Sequence, residues 1–394
     1  MPPGALRADP LRTRALADVD RLLTAAADRF GVARIAEITR LDRLGIPAVS
    51  VTRRDPIGAS VSVCTGKGDS VLAARVAGLA EALERYCAEP RGRLAIVTCP
   101  ARALTGERIA PAQLIASRDA DLDGAIDWCR GARLDGSPIW LPVNAVVFPY
   151  QPSPGAVRLF AAHTHGLAAG AGRDEAIVHG LFECIERDGY TRAVALASTG
   201  RGAEVPVIAA APSSAAGELL SRIRNAGLRV LLRDLSADHG VPIALCVIDD
   251  AGLTHMGIAA HLDADRALHD AVVEAAQSRV TDLQGAREDL PPRGGAADPW
   301  FTEPGAAPVA PWPPADTPWP PADIATAPDP IAAALGTLVA RLAALDPPIE
   351  PVYVDLGLAG VDLAVVRVVA PGLETWAHDP SRIGPRARRW LTAP

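Results

Sequence analysis

Two rhythms of apolar and polar positions run through this chain of 394 residues. A repeat of about 3.6 marks amphipathic helices, and strict alternation or a short β-branched run marks strands. The helical rhythm predicts helices over about 11–30, 71–88, 175–187, 217–226, 265–279 and 331–345. Alternation predicts a half-buried strand over 59–64, and short apolar runs predict strands near 143–148, 228–235, 242–248, 352–356 and 363–369. Strands interleaved with helices argue an α+β or α/β fold.

The pattern breaks once, over about 290–330. From 291 to 330 the chain carries 13 prolines and three tryptophans, Trp300, Trp312 and Trp319. Such a stretch sustains neither helix nor central strand and favours extended polyproline structure. We read it as a surface loop that interrupts a domain, since helix and strand patterns resume after it. It is either a disordered insertion or a flap that packs its aromatics on the body or a partner. The expected organisation is an N-terminal helical segment over 1–50 leading into the core, followed by one catalytic domain over 51–394.

Within the helical pattern one phrase is written twice. Gly78-Leu79-Ala80-Glu81-Ala82-Leu83-Glu84-Arg85 and Gly180-Leu181-Phe182-Glu183-Cys184-Ile185-Glu186-Arg187 stand 102 residues apart. Residues three apart share a helix face, so each phrase offers a pair of carboxylates. A third helix repeats the spacing with Glu274 and Gln277. A lone Glu-x-x-Glu-Arg has an ordinary explanation in a solvated Glu-Arg pair. Three such pairs set among Leu, Ala, Ile and Val need either a cationic guest or basic residues opposite them. An oxygen donor set without His or Cys suits magnesium or calcium rather than zinc. Magnesium commonly completes its shell with substrate phosphates, so a nucleotide is implied. Basic residues that could meet it are Lys67 in Gly66-Lys67-Gly68, Arg85, Arg187, Arg279 and Arg287. Both phrases follow a glycine-containing segment, Gly66-Lys67-Gly68 and Gly166-Leu167-Ala168-Ala169-Gly170, which suggests two related halves facing each other. There is no Walker A loop and no Gly-x-Ser-x-Gly elbow. His163 and His165 precede the second glycine segment, and no catalytic residue is assigned.

Composition narrows the partners. With 49% hydrophobic and 22% charged residues the chain can bury a large core, and a formal net charge of -7 without a basic run gives no nucleic-acid footprint. The first residues lack a signal-peptide core, and no run approaches the roughly 18 apolar residues of a membrane span, so a cytoplasmic protein is expected. Six scattered cysteines indicate neither zinc site nor disulfide framework.

Taken in order, these motifs resemble the YcaO family. The resemblance rests on Gly66-Lys67-Gly68 with Glu81-x-x-Glu84-Arg85, on Gly166-to-Gly170 with Glu183-x-x-Glu186-Arg187-Asp188, and on Glu274-x-x-Gln277-Ser278-Arg279 with Gly285-Ala286-Arg287-Glu288-Asp289. Asp42-Arg43-Leu44-Gly45-Ile46-Pro47, Trp140-Leu141-Pro142-Val143-Asn144 and Pro371-Gly372-Leu373-Glu374 fit it as well, so it covers about 42–384.

The resemblance implies two α/β halves facing each other across a cleft for ATP and Mg2+. It implies an enzyme that activates a backbone amide of a ribosomally made peptide by phosphorylating the amide oxygen. By motif the magnesium ligands fall on Glu81, Glu84, Glu183 and Glu186. The nucleotide contacts fall on Lys67, Arg85, Arg187, Glu274, Gln277, Arg279 and Arg287. Two departures stand out: His165-Gly166 where many members have Asn-Gly, and an ending Trp390-Leu391-Thr392-Ala393-Pro394 in place of the Pro-x-Pro-x-Pro of azoline-forming members. The second points to a thioamide synthetase acting on a precursor peptide with a TfuA-like partner. The alternatives are an azoline-forming cyclodehydratase and a catalytically silent peptide-binding scaffold. A homodimer is open to the chain.

Overall fold

The computed structural model describes residues 9–211, 214–289, 309–311 and 323–392. In chain order, α1 (Leu16–Ala26) leads to β1 (Val32–Glu37), β2 (Ala48–Arg53) and β3 (Val63–Lys67), then α2 (Val71–Ala88). Next come β4 (Val97–Pro100), β5 (Ala125–Arg133), β6 (Pro138–Pro142), β7 (Leu167–Gly170) and the long α3 (Arg173–Ser198). β8 (Val207–Ala209), α4 (Ala215–Asn225), β9 (Arg229–Asp234), β10 (Ile243–Asp250), β11 (Leu253–Ala260) and α5 (Ala264–Gln284) follow. The chain continues with β12 (Val309–Pro311), α6 (Asp323–Thr326), α7 (Pro330–Ala343), β13 (Val352–Asp355), β14 (Ala364–Val369) and α8 (Pro385–Thr392). The fold is α+β.

Two compact units emerge. The first draws on Met1–Arg54, Val61–Ala82 and Leu196–Ala334, the second on Asp55–Ser60, Leu83–Ala195 and Leu335–Pro394. Unit one holds an antiparallel sheet β1-β2-β3 and a five-stranded sheet of order β11-β10-β9-β8-β12, in which only β12 pairs in parallel, with β8. Strand alternation puts Ala244, Cys246 and Ile248 of β10 into one buried cluster with Leu220 and Ile223 of α4 and Leu268, Val272 and Ala276 of α5. Leu44 and Ile46, beside Asp42, join that core. Unit two holds a sheet of order β4-β5-β13-β14-β7, with β6 on β5. Trp128 of β5 is fully buried, and its indole N–H donates to the Cys99 carbonyl at 3.0 Å.

Most expected helices and late strands match the sequence pattern, while β1, β2, β4–β8, β11 and α8 were not expected and three expected segments differ. The strand expected over 59–64 begins only at Val63 and runs on through Thr65-Gly66-Lys67, because β2 pairs it as far as Lys67. Residues 143–148 form no strand: Pro142 ends β6, and the Asn144 carbonyl oxygen accepts the Leu159 and Phe160 N–H groups, holding Val143–Ala145 in one 3-10 turn. The second phrase helix continues eleven residues past Arg187, to Ser198, since Tyr190, Ala193 and Leu196 keep a buried stripe going. Of the Pro/Trp segment, residues 290–308 and 312–322, with all three tryptophans, lie outside the described residues; the rest corrects the reading as a plain loop, since Val309–Pro311 pair with β8 at the end of its sheet and Asp323–Thr326 form a helical turn.

Candidate active site

Each glutamate phrase is anchored by the same local device. In unit one, Gly66 near the end of β3 packs directly on Gly78 of α2; a Cβ on Gly66 would stand 1.9 Å from the Ala74 carbonyl oxygen and 2.2 Å from the Gly78 nitrogen. In unit two, Gly166 just before β7 meets α3 and β14. A Cβ there would lie 2.2 Å from the Val368 carbonyl oxygen, and one on Gly180 would lie 2.9 Å from the Gly166 carbonyl oxygen. Gly166 also has φ +80, which L side chains seldom adopt. The glycines bring each strand close enough that the glutamate three residues after the helical glycine can reach the strand backbone. Glu81 accepts the Thr65 N–H at 3.1 Å, and Glu183 accepts the Gly166 N–H at 2.9 Å.

The remaining predicted residues fall into several local groups. Lys67 is ion-paired with Glu274, and the Gln277 amide donates to the Thr65 carbonyl, so Thr65 is held on one side by α2 and on the other by α5. Gly257 of β11 approaches α5 as Gly66 approaches α2, with a Cβ there 2.2 Å from the Ala271 carbonyl oxygen. Glu84 accepts the Ala169 N–H of β7 at 2.6 Å. Arg187 faces Glu183 at 3.7 Å and Glu186 at 3.3 Å. Arg85 is half-buried in the last turn of α2. Arg279, 4% exposed, lies between Asp42 at 3.2 Å and Asp250 at 2.8 Å, and so fastens Asp42-Arg43-Leu44 to α5. Arg287 pairs in a bidentate manner with its neighbour Asp289 at 2.9 and 2.7 Å.

Basic residues therefore already stand opposite part of the carboxylate set. Among the described residues no three His, Cys, Asp or Glu side chains form a metal cage by themselves. Magnesium ordinarily takes one or two carboxylates and fills its shell with water and phosphate oxygens. The Glu pairs fit that demand: all donors are oxygen, and the Glu183 and Glu186 side chains keep 27% and 11% exposure.

Behind the second phrase lies a group that sequence reasoning reached only in part. His163 and His165 stack with ring centres 4.3 Å apart, and His378 meets His165 edge-on at 4.9 Å. Burial, reinforced by neighbouring Arg367 and His163 respectively, holds His163 and His165 well below the usual histidine range, and burial with Arg187 holds His378 at about 4. All three rings are neutral near pH 7. Burial pushes the Cys184 thiol up to about 12, so it remains protonated, its Sγ donating toward the Val368 carbonyl at 3.8 Å. Arg367 and Arg382 complete the group. The one clue to Arg367 in the sequence is a guanidinium in the otherwise apolar run Val365-Val366-Arg367-Val368-Val369.

An α+β chain with Glu81, Glu84 and Glu183 held by backbone N–H groups and basic residues beside them is suited to bind a nucleotide with magnesium. Similarity to known proteins names the class. Residues 65–374 match the family described as YcaO cyclodehydratase, ATP- and Mg2+-binding. An uncharacterized protein of Methanothermobacter thermautotrophicus is 36% identical over 378 residues, 91% of this chain and 94% of that one. An uncharacterized protein in the tfuA 3' region of Rhizobium leguminosarum bv. trifolii is 34% identical over 67% of this chain and 65% of its own length. The structure of YcaO from Methanopyrus kandleri bound with AMPPCP and Mg2+ superposes with a TM-score of 0.73 at 25% identity, covering 95% of each chain. The chain belongs to the YcaO family of ATP-dependent peptide-modifying enzymes, and its cofactors are ATP and Mg2+.

Proposed function

We propose that this enzyme converts a backbone amide of a ribosomally synthesised precursor peptide into a thioamide, with a TfuA-like protein supplying sulfide. The observation that carries amide activation is the repeated clamp: Glu81 and Glu183, each first in a Glu-x-x-Glu-Arg phrase, held by a backbone N–H in or just before a strand. That device fixes the first carboxylate of each phrase by a backbone hydrogen bond to one oxygen, and Glu183 also faces Arg187. Glu81, Glu84, Glu183 and Glu186 would hold magnesium, which when bound neutralises phosphate charge. Phosphoryl transfer asks the protein mainly for positioning and charge compensation. Lys67, Arg85, Arg187 and Arg287 would supply the basic groups. Glu274 and Gln277 would order Lys67 and the Thr65 backbone, and Arg279 would keep α5 seated.

In balanced form, hydrosulfide adds to the amide carbon and the amide oxygen takes the γ-phosphoryl group of ATP, releasing ADP. The C–O bond then breaks, inorganic phosphate departs with the former amide oxygen, and the proton of hydrosulfide leaves with it as the C=S bond forms. The relative in a tfuA 3' region favours this outcome over an azoline. Neutral, buried Cys184 is unsuited to carry sulfur as a thiolate, which fits an external sulfide source.

The test incubates enzyme, ATP, magnesium, sulfide, the TfuA-like protein and the precursor peptide encoded near it, and reads peptide mass. Exchange of oxygen for sulfur adds roughly 16 Da, whereas azoline formation through the same amide phosphorylation removes roughly 18 Da. Loss of water without sulfur gain would overturn the thioamide assignment. Absence of any ATP-dependent mass change across the peptides tried, with no MgATP binding, would favour the silent scaffold.

A further inference from the structure

Two buried arginines in unit two have charge that nearby carboxylates do not pair. Arg367 is 1% exposed and Arg382 4% exposed. Arg367 donates to the carbonyls of Ala145 at 3.0 Å and His163 at 2.6 Å, and Arg382 to those of Ile115 at 2.8 Å and Leu114 at 2.6 Å. Carbonyl dipoles satisfy part of each guanidinium, yet Nη1 of both residues has no hydrogen-bond partner among the described residues, and neither has Nδ1 of His165. Burial lowers both arginines only to about 10, so both remain cationic at neutral pH. The carboxylates that act on them from a distance have other partners. Glu183 holds the Gly166 N–H, Glu374 the Gly384 and Ala387 N–H groups, and Asp379 the Ser381 N–H and hydroxyl.

All three orphaned nitrogens belong to residues lining one cavity of about 50 Å3, whose other walls include His163, Cys184, Arg187 and the 368–373 backbone. A water needs about 10–15 Å3 of such space, so this cavity takes a few waters or one small anion and excludes a nucleotide. Buried cations without a counter-charge are expensive, and an anion among three guanidinium groups offsets that cost. The wall formed by Cys184 and Arg187 is the same turn of α3 that carries Glu183 and Glu186.

We propose that the cavity bounded by His163, His165, Arg187, Arg367 and Arg382 binds a small inorganic anion, and that in this enzyme's reaction the anion is hydrosulfide. The second half rests on the thioamide assignment; the first does not. A small, soft anion suits a pocket in which guanidinium donors are set among apolar walls such as Phe160, Val368 and Leu373 and the Cys184 sulfur.

The test separates the two halves. Crystals soaked in bromide should show anomalous density within hydrogen-bond reach of Arg367, Arg382 or His165, and bromide and hydrosulfide should raise the melting temperature saturably at constant ionic strength. Arg382→Gln should abolish both effects. Should that variant fail to fold, His165→Phe keeps the ring stack, removes the nitrogens and should weaken anion binding several-fold. No bromide density together with an unsaturable thermal response overturns the anion site. For the occupant, sulfide KM in the thioamide assay should rise about tenfold or more in His165→Phe with the ATP KM unchanged, the loss expected for a hydrogen bond to a charged group. An unchanged sulfide KM, or a wild-type cavity that takes inorganic phosphate and rejects hydrosulfide, overturns the hydrosulfide assignment while the bromide result stands on its own.

Discussion

Glu183 combines three roles in one side chain: it receives the Gly166 N–H, faces Arg187, and is the proposed magnesium ligand. Glu183→Gln keeps the volume and an acceptor for the N–H but removes the charge. Its fold should survive, with an unchanged circular dichroism spectrum, while peptide-dependent ATP consumption falls by at least roughly 100-fold, beyond what a supporting residue usually gives. Turnover near the wild-type level would remove Glu183 from the metal set. His269 of α5 tests a different piece of residue-level electrostatics. Burial works against its charge, but hydrogen bonds to Asp270 and Asp69 at 3.1 and 3.0 Å outweigh it and raise it from 6.5 to about 9. A raised histidine stabilises fully below its unfolded value and loses that contribution as pH climbs through its folded value. The window here is pH 6.5 to about 9, and the contribution at pH 6 is on the order of 3 kcal/mol. His269→Gln should therefore lower the urea midpoint at pH 6, and the two midpoints should draw together by about pH 10. At the acid end Asp270, held at about 2 by the same contact, loses its share as pH falls from 3.8 toward that value. The glutamate pairs and Lys67 were legible in the sequence because one helical period suffices to put residues three apart on one face. Arg367 and Arg382 were not, because they act on Ala145 and Ile115, 222 and 267 residues away in the chain, and His378 meets His165 across a similar span.

At the scale of elements, the glycine contacts decide where each helix sits on its sheet. Gly66, Gly166 and Gly257 lie against backbone atoms, which cannot swing aside as a side-chain tip can. Gly66→Ala should destabilise by about 3 kcal/mol or more, the upper range for overpacking. The check is a fall in the urea midpoint with little change in slope. The same substitution should detach Glu81 from the Thr65 N–H, so MgATP binding should weaken even where the variant stays folded. A near-wild-type midpoint would mean that β3 and α2 are not seated as closely as described. Sequence periodicity located α2, α4, α5, α7, β9, β10, β13 and β14 within a few residues, since each carries its own apolar rhythm. It missed β1, whose burial alternates poorly, along with β2, β4–β8 and β11, and it drew residues 143–148 as a strand because Asn144's hold on the Leu159 and Phe160 N–H groups comes from outside the segment.

For the whole molecule, ligand linkage gives the broadest check. MgATP binds the folded chain alone, so at 100 times its Kd it should add about 2.7 kcal/mol of stability and raise the melting temperature by a few degrees. ATP with the magnesium chelated should give much less. An equal shift with and without magnesium would argue that the glutamates do not bind through the metal. Apart from its family, the sequence by itself determined a mixed helix-and-strand class, the two Glu-x-x-Glu-Arg phrases, the third pair on α5 and the demand for compensating charge. Those properties follow from local spacing and from the cost of burying carboxylates among apolar neighbours. The phrase itself offers Arg187 to Glu183 and Glu186, whereas only the tertiary structure brought Lys67 to Glu274 and Arg279 to Asp42 and Asp250. Most of these pairings join residues that are distant in the chain, and the buried arginine cavity beside Glu183 is assembled from β14, the His163–His165 segment and the turn before α8. No periodic pattern encodes such a meeting, because it is fixed by how strands and helices pack rather than by what any one of them contains.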